Sequence, residues 1–278
     1  MLPPYLINDI IERAFREDIG AGDLTTLYTV PAGKSGCGNL LAKETGLIAG
    51  IDAAVSAFRY LDGYVDCECL LKDGDPVDAG SLIMKVSGPL QAILSSERIA
   101  LNFLQRLSGI ATQTAEWVEE IKEYPTRLTD TRKTTPGLRL LEKHAVFIGG
   151  GFNHRLALDG GILIKDNHII AAGSIINAVR AVRNMAPFTL RIEVEVSNLD
   201  ELDEAIAAKA DIIMLDNMET SQICQAVKLT AGRALLEASG NITRQRLKEI
   251  ADTGVDLISC GALTHSSRSL DFSFNLNE

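Results

Sequence analysis

The chain has 278 residues, 46% hydrophobic and 23% charged, which is ordinary for one large domain or two modest ones around a full core. Its formal net charge of −10 argues against a general nucleic-acid binder, whose affinity comes from neutralising phosphates, yet leaves room for a local basic pocket. No run approaches the roughly 20 consecutive apolar residues that cross a bilayer. Residues Met1 to Gly20 also lack the basic-then-apolar order of a secretion signal, so a cytoplasmic location without membrane contact is expected.

Up to about residue 110 the pattern is mixed. A helical stretch, Leu6 to Glu17, precedes short strand candidates around Gly38 to Glu44, Val65 to Leu71 and Ser81 to Ser87, separated by turns such as Lys72-Asp73-Gly74-Asp75. This reads as an α+β domain with a largely antiparallel sheet. Cys67 and Cys69 fall on one strand face, but no second pair exists among the five cysteines, so a reduced strand is favoured over zinc. A long helix from Ser95 to Gly109, extending towards Lys122 and capped by Ser96, follows.

From about residue 126 strands and helices alternate. Strand candidates are Arg127–Thr131, Gly161–Lys165, Leu190–Val196, Asp211–Asp216, Ala234–Ser239 and Asp256–Gly261. Helix candidates are Gly137–Val146, Ser174–Asn184, Asn198–Lys209, Thr220–Thr230 and Thr243–Thr253. Runs such as Ile212-Ile213-Met214-Leu215 are apolar on both faces, as a parallel strand under helices requires. Six such units suit a doubly wound sheet or a barrel short of eight strands, and periodicity does not choose between them. In both, ligands bind at the carboxyl ends of the strands.

The polar residues sit at those ends. Thr131, Arg132 and Lys133 close the first strand, with Pro136 just beyond as a helix start. Adjacent cations followed by hydroxyls suit a ligand with carboxylates and phosphates, although a solvated loop would also carry them. Gly149-Gly150-Gly151-Phe152-Asn153-His154-Arg155 joins a flexible run to a titratable donor and a cation. Lys165 follows a buried apolar run and is assigned to substrate, while Asp166 and Asn167 read as capping and turning residues. Glu193 and Glu195 share a strand face. Either one could form an internal ion pair with Arg191 or a pocket lysine. Glu195 and Asp216 could instead hold ribose hydroxyls, stabilise positive charge, or bind Mg²⁺. Ser239, Gly240 and Asn241, and then Gly261, place glycine and hydroxyls after the last two strands, where amides can cradle phosphate.

These segments, in order and with this spacing, resemble the quinolinate phosphoribosyltransferase family. The N-terminal Glu17 to Thr25 stretch and the segment from Glu97-Arg98 to Thr112 resemble it as well, so the likeness covers essentially the whole chain. It implies an N-terminal α+β sandwich-like domain (1–110), an incomplete α/β barrel (111–270) and a tail (271–278) whose placement it leaves open. It also implies transfer of phosphoribosyl from 5-phosphoribosyl 1-pyrophosphate to quinolinate with loss of CO₂, and no organic cofactor. The implied assembly is a homodimer, or a higher oligomer of it, with a shared site into which Arg98 reaches from the neighbour. Arg132, His154, Arg155 and Lys165 would grip the quinolinate carboxylates, with Lys133 between pyridine and phosphates. Glu195 and Asp216 would face the ribose and the Mg²⁺ that accompanies the pyrophosphate. Ser239, Gly240, Asn241 and Gly261 would surround the 5′-phosphate. Two alternatives stay open: an enzyme of the same scaffold for another aromatic acid, which a substrate panel separates, and a non-catalytic phosphosugar-binding protein, which detectable turnover excludes.

Overall fold

The computed structural model describes residues 3–277; Met1, Leu2 and Glu278, which the domain and tail readings include, lie outside them. The N-terminal elements are α1 (Pro4–Asp18), α2 (Leu24–Thr29), β1 (Ser35–Ala42), β2 (Gly46–Leu47), α3 (Ile51–Tyr60), β3 (Asp66–Cys69), β4 (Pro76–Val77), β5 (Leu82–Pro89) and α4 (Leu90–Glu120). Next come β6 (Arg127–Thr129), α5 (Arg139–Ile148), β7 (Ile162–Ile164), α6 (Asp166–Ala172), α7 (Ile175–Met185), β8 (Ile192–Val196) and α8 (Leu199–Ala207). The chain closes with β9 (Ile212–Asp216), α9 (Thr220–Thr230), β10 (Leu235–Ser239), α10 (Leu247–Ala251), β11 (Leu257–Ser259), α11 (Ala262–His265) and β12 (Phe272–Leu276). They gather into two compact units that do not follow chain order. One holds residues up to Gln113, Thr135–Gly149 and the stretch from Ser267; the other holds Thr114–Thr134 and Gly150–Ser266.

In the first unit an antiparallel sheet runs β12-β1-β5-β3. Ile7, Ile11 and Phe15 recur every four residues on α1, so one stripe of that helix is buried, and Phe15 stacks on Tyr60 of α3 at 4.5 Å. The C-terminal tail enters this sheet as β12, pairing Phe274 with Leu40. Its approach runs close to α4, where a Cβ on Gly109 would lie 1.9 Å from the Arg268 carbonyl oxygen, so only glycine fits there. Ser96 is not an N-cap. The helix begins at Leu90, and the buried Ser96 hydroxyl donates back to Ala92 O at 2.6 Å. Pro136 does not start α5 either: Gly137 at φ 84° breaks the helical path, and the helix begins at Arg139. On β3 both cysteines are free, and burial pushes the Cys67 thiol up to about 12, which leaves it unreactive.

In the second unit six parallel strands run β6-β11-β10-β9-β8-β7. From β7 to β11 each strand lies beside its neighbour in sequence, and β11, the last, pairs with β6, the first. A doubly wound sheet reverses its order part-way and does not do this. The arrangement is that of a barrel opened at one seam, between β6 and β7. Part of the seam is occupied by Phe152, which forms a lone parallel bridge with Thr129 and whose ring lies 4.9 Å from the Arg127 guanidinium carbon. Two helical readings change. Asp166 and Asn167 open a further helix, α6, with Lys165 at its N-cap, because His168 Nδ1 accepts the Lys165 N–H at 2.9 Å and closes the first turn. The Thr243–Thr253 helix is a 3₁₀ turn, Arg244–Arg246, followed by the short α10.

Candidate active site

The carboxyl ends of the barrel strands enclose a cavity of about 540 Å³. Eleven of the residues expected at the site line it: Thr131, Arg132 and Lys133 after β6, His154 and Arg155 on the seam loop, Lys165 after β7, Glu195 on β8, Asp216 on β9, and Ser239, Gly240 and Asn241 at the end of β10. Gly261 is not among the lining residues, but a Cβ there would lie 2.9 Å from Lys133 Cδ, so its bareness leaves room for that side chain. Arg98 is exposed on α4 in the first unit.

Each wall is held by its own local chemistry. The first is tied down by Asp130, a fully buried carboxylate that accepts the His154 backbone N–H at 2.9 Å and the Asn153 amide at 2.7 Å. The strand end is thereby fastened to the seam loop. Thr264 supports the same wall, donating its hydroxyl to Lys133 O at 2.8 Å. The Arg155 guanidinium donates to Gly161 O at 2.8 Å. Burial, and then the neighbouring charge of Arg132, hold its pKa below the usual value. Two neighbouring part-buried guanidiniums repel one another, and an anion between them relieves that repulsion.

Opposite them, Lys165 Nζ forms an ion pair with Glu195 Oε2. At the far wall Asp216 accepts from Asn217 Nδ2 at 2.8 Å, and Asn217 Oδ1 accepts from Asn241 Nδ2 at 3.0 Å. Asn217, Gly240 and Asn241 all have left-handed backbones, with φ of 53°, 92° and 49°. Such conformations persist only where the surroundings hold them, and they gather at ligand sites. Gly240 has a second constraint, since a Cβ on it would lie 2.3 Å from Asn217 Oδ1.

Similarities over nearly the whole chain accompany this geometry. Family models described as the N-terminal and C-terminal domains of quinolinate phosphoribosyl transferase match residues 23–108 and 110–275. The chain belongs to the quinolinate phosphoribosyltransferase family. It is 47% identical over 279 residues to a probable nicotinate-nucleotide pyrophosphorylase (carboxylating) of Synechocystis, covering 99% of this chain and 94% of that one. A protein of the same name from Bacillus subtilis is 45% identical, with 97% and 93% covered. A crystal structure of NadC from Streptococcus pyogenes superposes with a TM-score of 0.95 at 43% identity, covering 100% and 99% of the two chains.

Sequence reasoning assigned no role to two residues of this quinolinate phosphoribosyltransferase-family site, Asp130 and Glu237. Asp130 falls in the strand candidate Arg127–Thr131, next to Thr131, and reads there as one more polar residue. Glu237 gives a usable signal, an acid flanked by apolar residues in a buried strand. With Glu193 and His154 it forms a cluster whose polar atoms all lie within 4.8 Å of one another. Within it His154 Nδ1 accepts the Arg155 N–H at 2.8 Å, so the ring proton is on Nε2, 3.0 Å from Glu193 Oε2.

Proposed function

We propose that this chain transfers the phosphoribosyl group of 5-phosphoribosyl 1-pyrophosphate to quinolinate and releases CO₂, forming nicotinate mononucleotide for NAD synthesis. The observation that carries this reading is the composition of this cavity: Arg132, Lys133, Arg155 and Lys165 beside Glu195 and Asp216, in a chain of net charge −10. The cations suit a dicarboxylate and a sugar phosphate, which repel one another in water. The two carboxylates suit a centre that becomes cationic.

Arg132, Arg155 and Lys165 hold and orient the acid's carboxylates, with His154 in the same wall. Lys133 lies between the ring and the phosphates. The pyridine nitrogen uses its lone pair to bond to ribose C1 as the C1–O bond to pyrophosphate breaks. Glu195 and Asp216 face the positive charge that grows at C1. The bond from ring carbon 2 to its carboxylate then breaks, CO₂ leaves, and the electron pair stays on that carbon beside the now-positive nitrogen until a proton from water takes it up. Ser239, Gly240, Asn241 and Gly261 hold the 5′-phosphate, for which the left-handed backbone at Gly240 and Asn241 is suited.

Glu195 and Asp216 are hard oxygen donors in one cavity, a set that fits Mg²⁺ completed by water and phosphate oxygens. When bound, the ion would neutralise charge on the departing pyrophosphate. The exposed Arg98 would complete the site from a second copy of the chain in a homodimer. Among the described residues no helix is long and apolar enough to cross a membrane, and a cytoplasmic location is proposed. The test is release of CO₂ from carboxyl-labelled quinolinate with and without the sugar pyrophosphate and Mg²⁺. Release that depends on the sugar pyrophosphate supports the reading. None from folded protein overturns it.

A further inference from the structure

The His154, Glu193 and Glu237 cluster lies beneath the cationic wall and has an imbalance in its hydrogen bonds. Glu193 and Glu237 are 4% and 1% exposed. The single ring N–H of His154 faces both, at 3.0 Å from Glu193 Oε2 and 3.8 Å from Glu237 Oε2, so it serves Glu193. The remaining oxygen of Glu193, Oε1, is buried without a hydrogen-bond partner, and Glu237 has the nearby Ser259 hydroxyl to oppose the effect of its burial. Two neighbouring carboxylates so placed do not both stay ionised at neutral pH. The one without the N–H holds the proton. Burial, and then the charge of Glu193, push Glu237 up to about 7.

Glu237 lines the catalytic cavity and also a second one of about 400 Å³ at the opposite strand ends, where Arg127 and Arg191 stand. The ionisable groups whose charges act on it are Glu193 from β8, His154 on the seam loop and Asp130 after β6. Arg155 shares both cavities with it, and its strand neighbours Met214 on β9 and Leu257 on β11 are uncharged. A proton on Glu237 therefore decides whether the cluster carries one negative charge or two beside Arg155.

Resting on the function proposed above, we propose that Glu237 is a positioning residue of the acid pocket: kept protonated, it leaves Glu193 to fix the His154 tautomer and with it the backbone of Arg155, and it keeps a second negative charge from arising beneath the bound dianion. Above neutrality it ionises, its charge opposes the acid, and affinity for the acid falls. Neither arginine nor the acid's own carboxylates change charge in that range.

Calorimetric titration of quinolinate into the full chain tests this at pH 6 and pH 8.5. A coupling of one pKa unit between Glu237 and the bound acid makes wild-type binding about tenfold weaker at pH 8.5. For Glu237→Gln the two affinities should agree within about twofold, since the amide never ionises. A second readout needs no variant. Near pH 7.5, in buffers of different ionisation enthalpy, the wild type should take up a fraction of a proton as quinolinate binds. Wild-type affinity that is flat with pH, no proton uptake, or a Glu237→Gln affinity that falls as steeply as wild type would each overturn the inference while CO₂ release stands. A folded wild type that binds no quinolinate at any pH would overturn the proposed function, and this inference with it.

Discussion

The Arg106 guanidinium of α4 donates through Nε and Nη2, at 3.0 and 2.9 Å, to one oxygen of Glu142, a carboxylate on α5 with no solvent exposure. The same carboxylate accepts the Thr135 N–H at 3.0 Å and its hydroxyl at 2.7 Å, while Arg106 Nη1 reaches Ser267 O at 2.9 Å. One ion pair thus gathers three distant stretches of chain in the first unit. Removing one partner strands a buried charge. Glu142→Ala should cost about 3–5 kcal/mol in urea unfolding, whereas an apolar replacement of both residues should cost less than the two single changes together. A change below about 1 kcal/mol for the single variant would show the pair to be dispensable.

Arg132 stands beside Arg155 in the acid wall. Arg132→Ala should raise KM for quinolinate at least about tenfold, the loss of one charge-assisted hydrogen bond, and leave KM for the sugar pyrophosphate nearly unchanged. Steady-state kinetics with each substrate varied in turn decides it. Equal losses for both would remove Arg132 from the acid site.

Gly240 is constrained twice, by φ of 92° and by the 2.3 Å approach that a Cβ would make to Asn217 Oδ1. Gly240→Ala should displace Asn217 and weaken binding of the sugar pyrophosphate more than that of the acid, with about 1–3 kcal/mol of lost stability. Unchanged sugar affinity, measured by titration, would place the phosphate elsewhere.

Burial sets a direction for stability with pH as well. Burial raises Glu237 from the ordinary carboxylate value of 4.5 to about 7, so the folded chain binds its proton more tightly than the unfolded chain does. The stabilisation this brings is full below about 4.5, declines as pH rises from there through about 7, and is gone above. Urea unfolding should therefore show Glu237→Gln gaining on wild type across that window, by a few kcal/mol at pH 8. A constant difference between the two proteins would contradict the assignment of the proton.

If the site is shared across a dimer, Arg98→Ala and Lys165→Ala proteins should each be nearly inactive alone. Unfolded together and refolded, they should recover about a quarter of wild-type activity, because half the dimers are mixed and one site in each is intact. Verified mixed dimers with no recovery would exclude the contribution of Arg98.

The sequence by itself determined the βα rhythm of the second half and the side chains at its strand ends. Both are local: apolar runs such as Ile212 to Leu215 mark a buried strand, and the residue that ends the run must fall at the carboxyl mouth whichever way the strands are ordered. That is why Lys165, Glu195, Asp216 and Ser239 could be placed before any pairing was known, and why they line one cavity. Element ends were less legible, since Ser96 as a cap and Pro136 as a start obey local preferences that hydrogen bonds to Ala92 and the turn at Gly137 override. Only the tertiary structure decided that β11 pairs with β6 and so makes a barrel with one open seam. It alone returned α5 and β12 to the first unit, and brought Glu237 to within 3.8 Å of His154. Pairings between residues more than 80 positions apart leave no mark on local periodicity. They follow from how the strands close around a common interior, and the protonation of Glu237 follows from that closure.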